Sequence, residues 1–128
     1  DATNGNLRYF TLSPPYASLA DKSPEQVLVA GETDGVQLAI DSRTQPSRIY
    51  AFYIENDAPD YRLRLVWNGG TGWTTSTQAM LLSGSSGKRR YPQVPASIQS
   101  DKKIVVIFQE DDGAAEWDIR SVRVKLPN

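Results

Sequence analysis

Apolar residues in this chain recur at every second position, in short runs separated by glycine and proline. Tyr61, Leu63, Leu65 and Trp67 alternate with Arg62, Arg64 and Val66, and Asn68-Gly69-Gly70 ends the run. A period of two sends successive side chains to opposite faces of a strand, and an Asn-Gly pair favours the left-handed backbone of a tight hairpin turn. No window carries the 3.6-residue stripe of an amphipathic helix. Ser18 to Val29 comes nearest, but Pro24 interrupts it. Ser23-Pro24-Glu25 predicts one short helical turn, with Ser23 as its N-cap.

The remaining runs read the same way. Leu7 to Leu12, Val27 to Ala30, Trp73 to Thr77, Ala79 to Leu82 and Lys103 to Gln109 are strand candidates. Val36, Leu38 and Ile40 alternate with Gln37, Ala39 and Asp41, which predicts a strand with one buried face. Arg48 to Ile54 is apolar on both faces and predicts a central strand covered on both sides. Pro92 and Pro95 confine their segment to an edge or a loop. In the last run Trp117 and Ile119 have one parity and Val122, Val124 and Leu126 the other, so a bulge near Arg120-Ser121 is expected to bring all five to the core. About nine or ten short strands at roughly 10-residue spacing predict an all-β fold. The expectation is a single domain over residues 1–128, an antiparallel β-sandwich of the jelly-roll kind, with a β-propeller-like repeat assembly as the alternative.

The chain has no cysteine and no histidine. That removes disulfides, thiolate metal sites, imidazole ligands and a Ser-His-Asp triad. Enzymatic chemistry would then rest on paired carboxylates facing each other across a groove, and the sequence holds no spacing that favours this over ordinary turns, so no catalytic residue is assigned. Fourteen basic and fifteen acidic residues leave a net charge of -1, without the basic excess a nucleic-acid binder needs to release counterions. No apolar run approaches the ~20 residues of a membrane helix, so no membrane insertion is expected. The chain begins at Asp1 rather than methionine, which reads as a mature chain after signal-peptide removal or as an excised domain. A secreted or extracellular location is expected.

Two sets of residues are candidates for a site. Glu110, Asp111, Asp112, Glu116 and Asp118 crowd five carboxylates into one turn, and a hard cation such as calcium takes six to eight oxygens. Calcium is therefore the one cofactor considered. Glu55, Asn56, Asp57 and Asp60 form a second acidic turn. The other set is aromatic. Trp67 and Trp73 flank the Asn68 turn and Trp117 follows the acidic one; an exposed indole face stacks on a sugar ring while polar neighbours hydrogen-bond its hydroxyls. Asn68, Trp73 and Trp117 are the candidate ligand-binding residues. Trp67 shares its parity with Leu63 and Leu65 and reads as core. Lys88-Arg89-Arg90 reads as a solvated basic run on a Gly/Ser loop, and Arg62 and Arg64 as an exposed strand face.

The stretch Glu110 to Ile119, followed by Val122, Val124 and Leu126, resembles the calcium-dependent fucose- and mannose-binding bacterial lectins. Ser83 to Lys88 and Ala2 to Gly5 with Phe10-Thr11-Leu12 look like further segments of that family. The resemblance implies a β-sandwich in which calcium bridges protein and sugar, through Glu110, Glu116 and Asp118. Ala114, Ala115 and Ile119 stand where that family has oxygen ligands. A second stretch, Arg48 to Tyr53, Leu63 to Trp67 and Gly70 to Thr74, resembles one blade of the fungal fucose-lectin propeller. There the family's sugar-binding arginine falls at Tyr50 and its glutamate near Arg64.

Both resemblances imply a sugar ligand. The expected function is non-catalytic carbohydrate or glycan binding, with a homo-oligomer formed through a sheet edge or the final strand as a compatible assembly. The alternative is a structural or protein-interaction module of a secreted or surface protein, which a large exposed apolar patch would favour.

Overall fold

A computed structural model of the chain describes residues 5–31, 33–57, 60–73, 79–82, 88–95, 98, 100–111, 113–114 and 116–127. Among them run nine strands: β1 (Leu7–Tyr9), β2 (Gln26–Val29), β3 (Thr33–Asp41), β4 (Arg48–Asp57), β5 (Asp60–Asn68), β6 (Ala79–Leu82), β7 (Arg89–Gln93), β8 (Lys103–Asp111) and β9 (Trp117–Lys125). They form antiparallel sheets in the orders β1-β2, β3-β4-β5-β6 and β7-β8-β9. The strands of each sheet follow chain order, without the interleaving of a jelly roll, and the chain passes from the four-stranded to the three-stranded sheet between β6 and β7. No sheet closes into a barrel among the described strands. No described helix is long and apolar enough to cross a membrane.

The two larger sheets pack face to face as a β-sandwich. Tyr50, Phe52 and Ile54 of β4 and Leu63 and Leu65 of β5 meet Ile104, Val106 and Phe108 of β8 and Val124 of β9. Trp67 is partly buried against this core, as its parity predicts. Ala51 and Tyr53 of β4 and Val66 of β5 point the other way, under Leu28 and Val29 of β2. The fold therefore has a third, smaller layer. Every residue from Tyr50 to Ile54 is at most 1% exposed, so the strand whose sequence is apolar on both faces is the one covered on both. Burial of Tyr53 pushes its phenol up to about 12.

Three local features of the fold differ from the sequence pattern. In β3 the buried side chains are Ala39 and Asp41, while Val36, Leu38 and Ile40 lie exposed. The small layer packs on β4 and β5 and leaves the edge strand β3 uncovered. In β9 no bulge forms. Its pairing with β8 is continuous from Lys103–Lys125 to Asp111–Trp117, so Trp117 and Ile119 stay on the outer face, with Ile119 76% exposed. The helical turn is a 3₁₀ turn at Leu19–Asp21, upstream of Ser23. Ser18 caps it: its Oγ accepts the Ala20 N–H, and the Asp21 carboxylate accepts the Ser18 N–H. Ser23 instead accepts the Thr11 N–H. Of the expected strand Trp73 to Thr77, Trp73 bridges Asn68 and the rest lies outside the described residues.

Candidate functional site

A cleft of about 250 Å³ opens at the end of the sandwich where β4 finishes and β5, β7 and β9 begin. Asp34 comes from β3, Asn56 from β4, Tyr61 from β5 and Trp117 from β9. Lys88, Arg89 and Arg90 complete the lining; the sequence presents this run as a loop, and the fold makes Arg89 and Arg90 the first residues of β7.

Strand geometry explains why two adjacent arginines do different things, since successive side chains leave a strand on opposite faces. Arg89 is opposite Glu110 and Arg90 is opposite Gln109. The Arg89 side chain turns inward and is only 9% exposed. Its Nε donates to Glu110 Oε2 at 2.6 Å and its Nη1 to the Tyr61 carbonyl at 2.9 Å. Its guanidinium lies 5.7 Å from the centre of the Phe108 ring. A buried guanidinium needs this full set of acceptors, because an unpaired charge away from water is costly.

Arg90 turns outward. Its Nε donates to Gln109 Oε1 at 2.9 Å, and its guanidinium stacks 3.6 Å from the Trp117 ring centre and 4.9 Å from that of Tyr91. Such cation–π stacking orients both partners. The Asp111 N–H donates to the Lys88 carbonyl at 2.9 Å and fixes the start of β7 against β8. The β7 register then breaks between Arg90 and Gln93, and Tyr91 takes a left-handed φ of 51°. Non-glycine residues held in that region gather at ligand sites, where surrounding structure enforces them.

The cleft is cationic. Three basic side chains face one carboxylate, Asp34, and the Arg89 charge is met from behind by Glu110. Among the described residues Lys88, Arg90 and Asp34 enter no ion pair.

The sequence candidates separate in space. Trp117 lines the cleft. Asn68 and Trp73 stand at the other end of β5, about 23 Å from Tyr61 at the rise of an extended strand. Asn68 Oδ1 accepts the N–H groups of Gly70 at 2.8 Å and Gly72 at 3.3 Å, so it shapes its own turn. Trp73 is half-buried against the second core cluster, its ring centre 5.9 Å from that of Tyr9. These three residues do not form one site.

The acidic turn is occupied by cations of the protein itself. Glu110 holds Arg89 and lies 3.9 Å from Arg120, and Asp118 accepts from Arg120 at 2.7 Å. Asp111 Oδ1 accepts the Gly113 N–H at 2.8 Å. Glu116 is exposed, and Asp112 lies outside the described residues. Among the described residues no three acidic groups gather in a way that could hold a metal. Glu110 and Asp118 are thus engaged by guanidinium groups, and Asp111 by a turn N–H. In the other acidic turn Glu55 pairs with Arg64 at 2.6 Å and Arg62 at 3.3 Å, so these arginines are half-buried and paired rather than a free strand face. Asn56 reaches the cleft, and the Asp57 and Asp60 side chains lie outside those described.

Asp34 and Tyr61 are site residues that the sequence pattern did not single out. The available signals were the basic run and Trp117, which became informative only once β7 and β9 were placed against the same strand. Comparison with protein-family models, curated proteins and solved structures gave no match.

Proposed function

We propose that this chain binds carbohydrate without transforming it, and that the cleft between Tyr61, Lys88 and Trp117 is the binding site. The observation that carries the reading is the meeting of an indole and a phenol with charged and polar groups around one open space. Sugars have apolar ring faces and hydroxyl rims, and this lining offers a partner for each. The volume is below the ~300 Å³ at which pockets for drug-sized ligands begin, so the cleft takes a single ring or a chain end. The excess of cations favours a sugar bearing a carboxylate or sulfate. Arg90, held flat by Trp117, and the exposed ammonium of Lys88 are the groups that would receive it.

The test is calorimetric titration with neutral monosaccharides, uronic-acid oligosaccharides and sulfated oligosaccharides. Binding is expected for the acidic ligands and should weaken as salt is added. Trp117→Ala and Lys88→Ala should each weaken it about tenfold, or ~1.4 kcal/mol. A chelator should leave it unchanged, because the acidic turn is already paired. Binding confined to calcium-loaded protein would overturn the reading.

A second reading is favoured by a different observation. The outer face of the three-stranded sheet exposes Val105, Ile107 and Ile119, as a protein-interaction module would. It predicts that the glycan titrations give no heat at all.

A further inference from the structure

An open sheet edge is a template for another strand, and proteins usually blunt it with charge, proline or shortness. Three edges here are blunted. β9 carries Arg120, Arg123 and Lys125, β7 carries Arg89, Arg90 and Pro92, and β6 is four residues long. β3 is different. It is nine residues long and has no lysine, arginine or proline; among the described residues it pairs as a strand only with β4, and beyond that the Thr33 N–H at its start donates to the Gly5 carbonyl at 2.8 Å. Its one irregularity is a bulge at Gly35, near one end. From Val36 to Asp41 it pairs with β4 without a break, and it exposes Val36, Leu38 and Ile40 on a single face. Leu38 is 55% exposed. An alternating strand of this composition is one that normally lies under cover.

We infer that β3 pairs antiparallel with β3 of a second copy of this chain, about a two-fold axis at Leu38. That axis places Leu38 opposite Leu38, and Val36 opposite Ile40 in both directions. The six apolar side chains then form one continuous band, flanked on both sides by the small β1-β2 layers. Charge fits the same register. Asp34 falls opposite Ser42 and Asp41 opposite Gly35, so no carboxylate faces another. The two four-stranded sheets become one eight-stranded sheet, and the open edge disappears. This inference rests on the edge and not on the cleft, and each can fail without the other. If both hold, the dimer carries two clefts, and a ligand with repeated acidic sugars gains avidity.

The absence of native cysteine makes the register directly testable. Residues directly opposite in an antiparallel pair have Cα atoms about 4.5–5.5 Å apart, within the span of a disulfide. Two copies of Leu38→Cys should therefore oxidise to a covalent dimer. Ile40→Cys is the control, equally exposed on the same face. Its two copies are separated by four residues along the strand, about 14 Å, and should not link. Wild-type protein should sediment at twice the 14.2 kDa chain mass, and Leu38→Lys should sediment as a monomer with an unchanged far-ultraviolet spectrum. Equal cross-linking of the two cysteine variants, or a wild-type monomer at the highest concentration examined, would overturn the inference.

Discussion

Asp41 is the most deeply buried charged residue among those described, at 3% exposed. It stays ionised because Arg43 closes on it with two parallel hydrogen bonds, Nε to Oδ1 at 2.9 Å and Nη2 to Oδ2 at 3.0 Å, while the Arg43 N–H adds a third. The Arg43 guanidinium holds the Asp41 carboxyl below the usual carboxylate range, against the opposing effect of desolvation. A folded-state value below the unfolded one means that the contribution is complete above the ordinary carboxylate pKa. It is lost as pH falls through the folded value, because the unfolded chain binds the proton first. The stability advantage of wild type over Asp41→Asn should thus be constant near neutrality and shrink on acidification below about pH 4. Urea unfolding of both proteins across that range measures it. An advantage that grew in acid would contradict the assignment.

At the scale of the strand, the joint between β3 and β7 depends on a glycine. Gly35 has φ +52°, and a Cβ there would stand 2.9 Å from Pro92 Cδ. Gly35→Ala should cost about 1–2 kcal/mol for the left-handed backbone alone, with added cost from displacing Pro92, and denaturant midpoints will read it. Legibility from sequence varied by strand for the same kind of reason. The Arg48 to Ile54 run could be read because burial on both faces leaves no choice of side. The Val36, Leu38, Ile40 alternation fixed a strand but misled about its face, since an edge strand's cover depends on where another layer stops. The two parities of β9 were real, but hydrogen-bonding continuity with β8 outweighed the burial of Ile119.

The whole molecule is a sandwich with an added layer, a cationic cleft at one end and the Asn68–Trp73 turn at the other. The all-β sandwich was legible because alternation and turn chemistry are local properties. The site was legible only in part. Trp117 was singled out, but its partner Arg90 is 27 positions earlier, and no local pattern announces a stack between strands so far apart in sequence. Of the carboxylates of the acidic turn, Glu110 is met by Arg89, 21 positions earlier on β7 and so outside any local pattern, whereas Asp118 is met by Arg120, two residues along the same strand.

The claim that the cleft is the carbohydrate site is tested most directly by nuclear magnetic resonance, titrating isotope-labelled protein with a sulfated disaccharide. The chain has three tryptophans and so three indole N–H signals. The Trp117 indole should move with the backbone amides of Asn56, Tyr61 and Lys88 along one saturating curve, while the Trp73 indole and Asn68 stay still. Movement at Asn68 and Trp73 with Trp117 unmoved, or no movement with any acidic sugar, would contradict it.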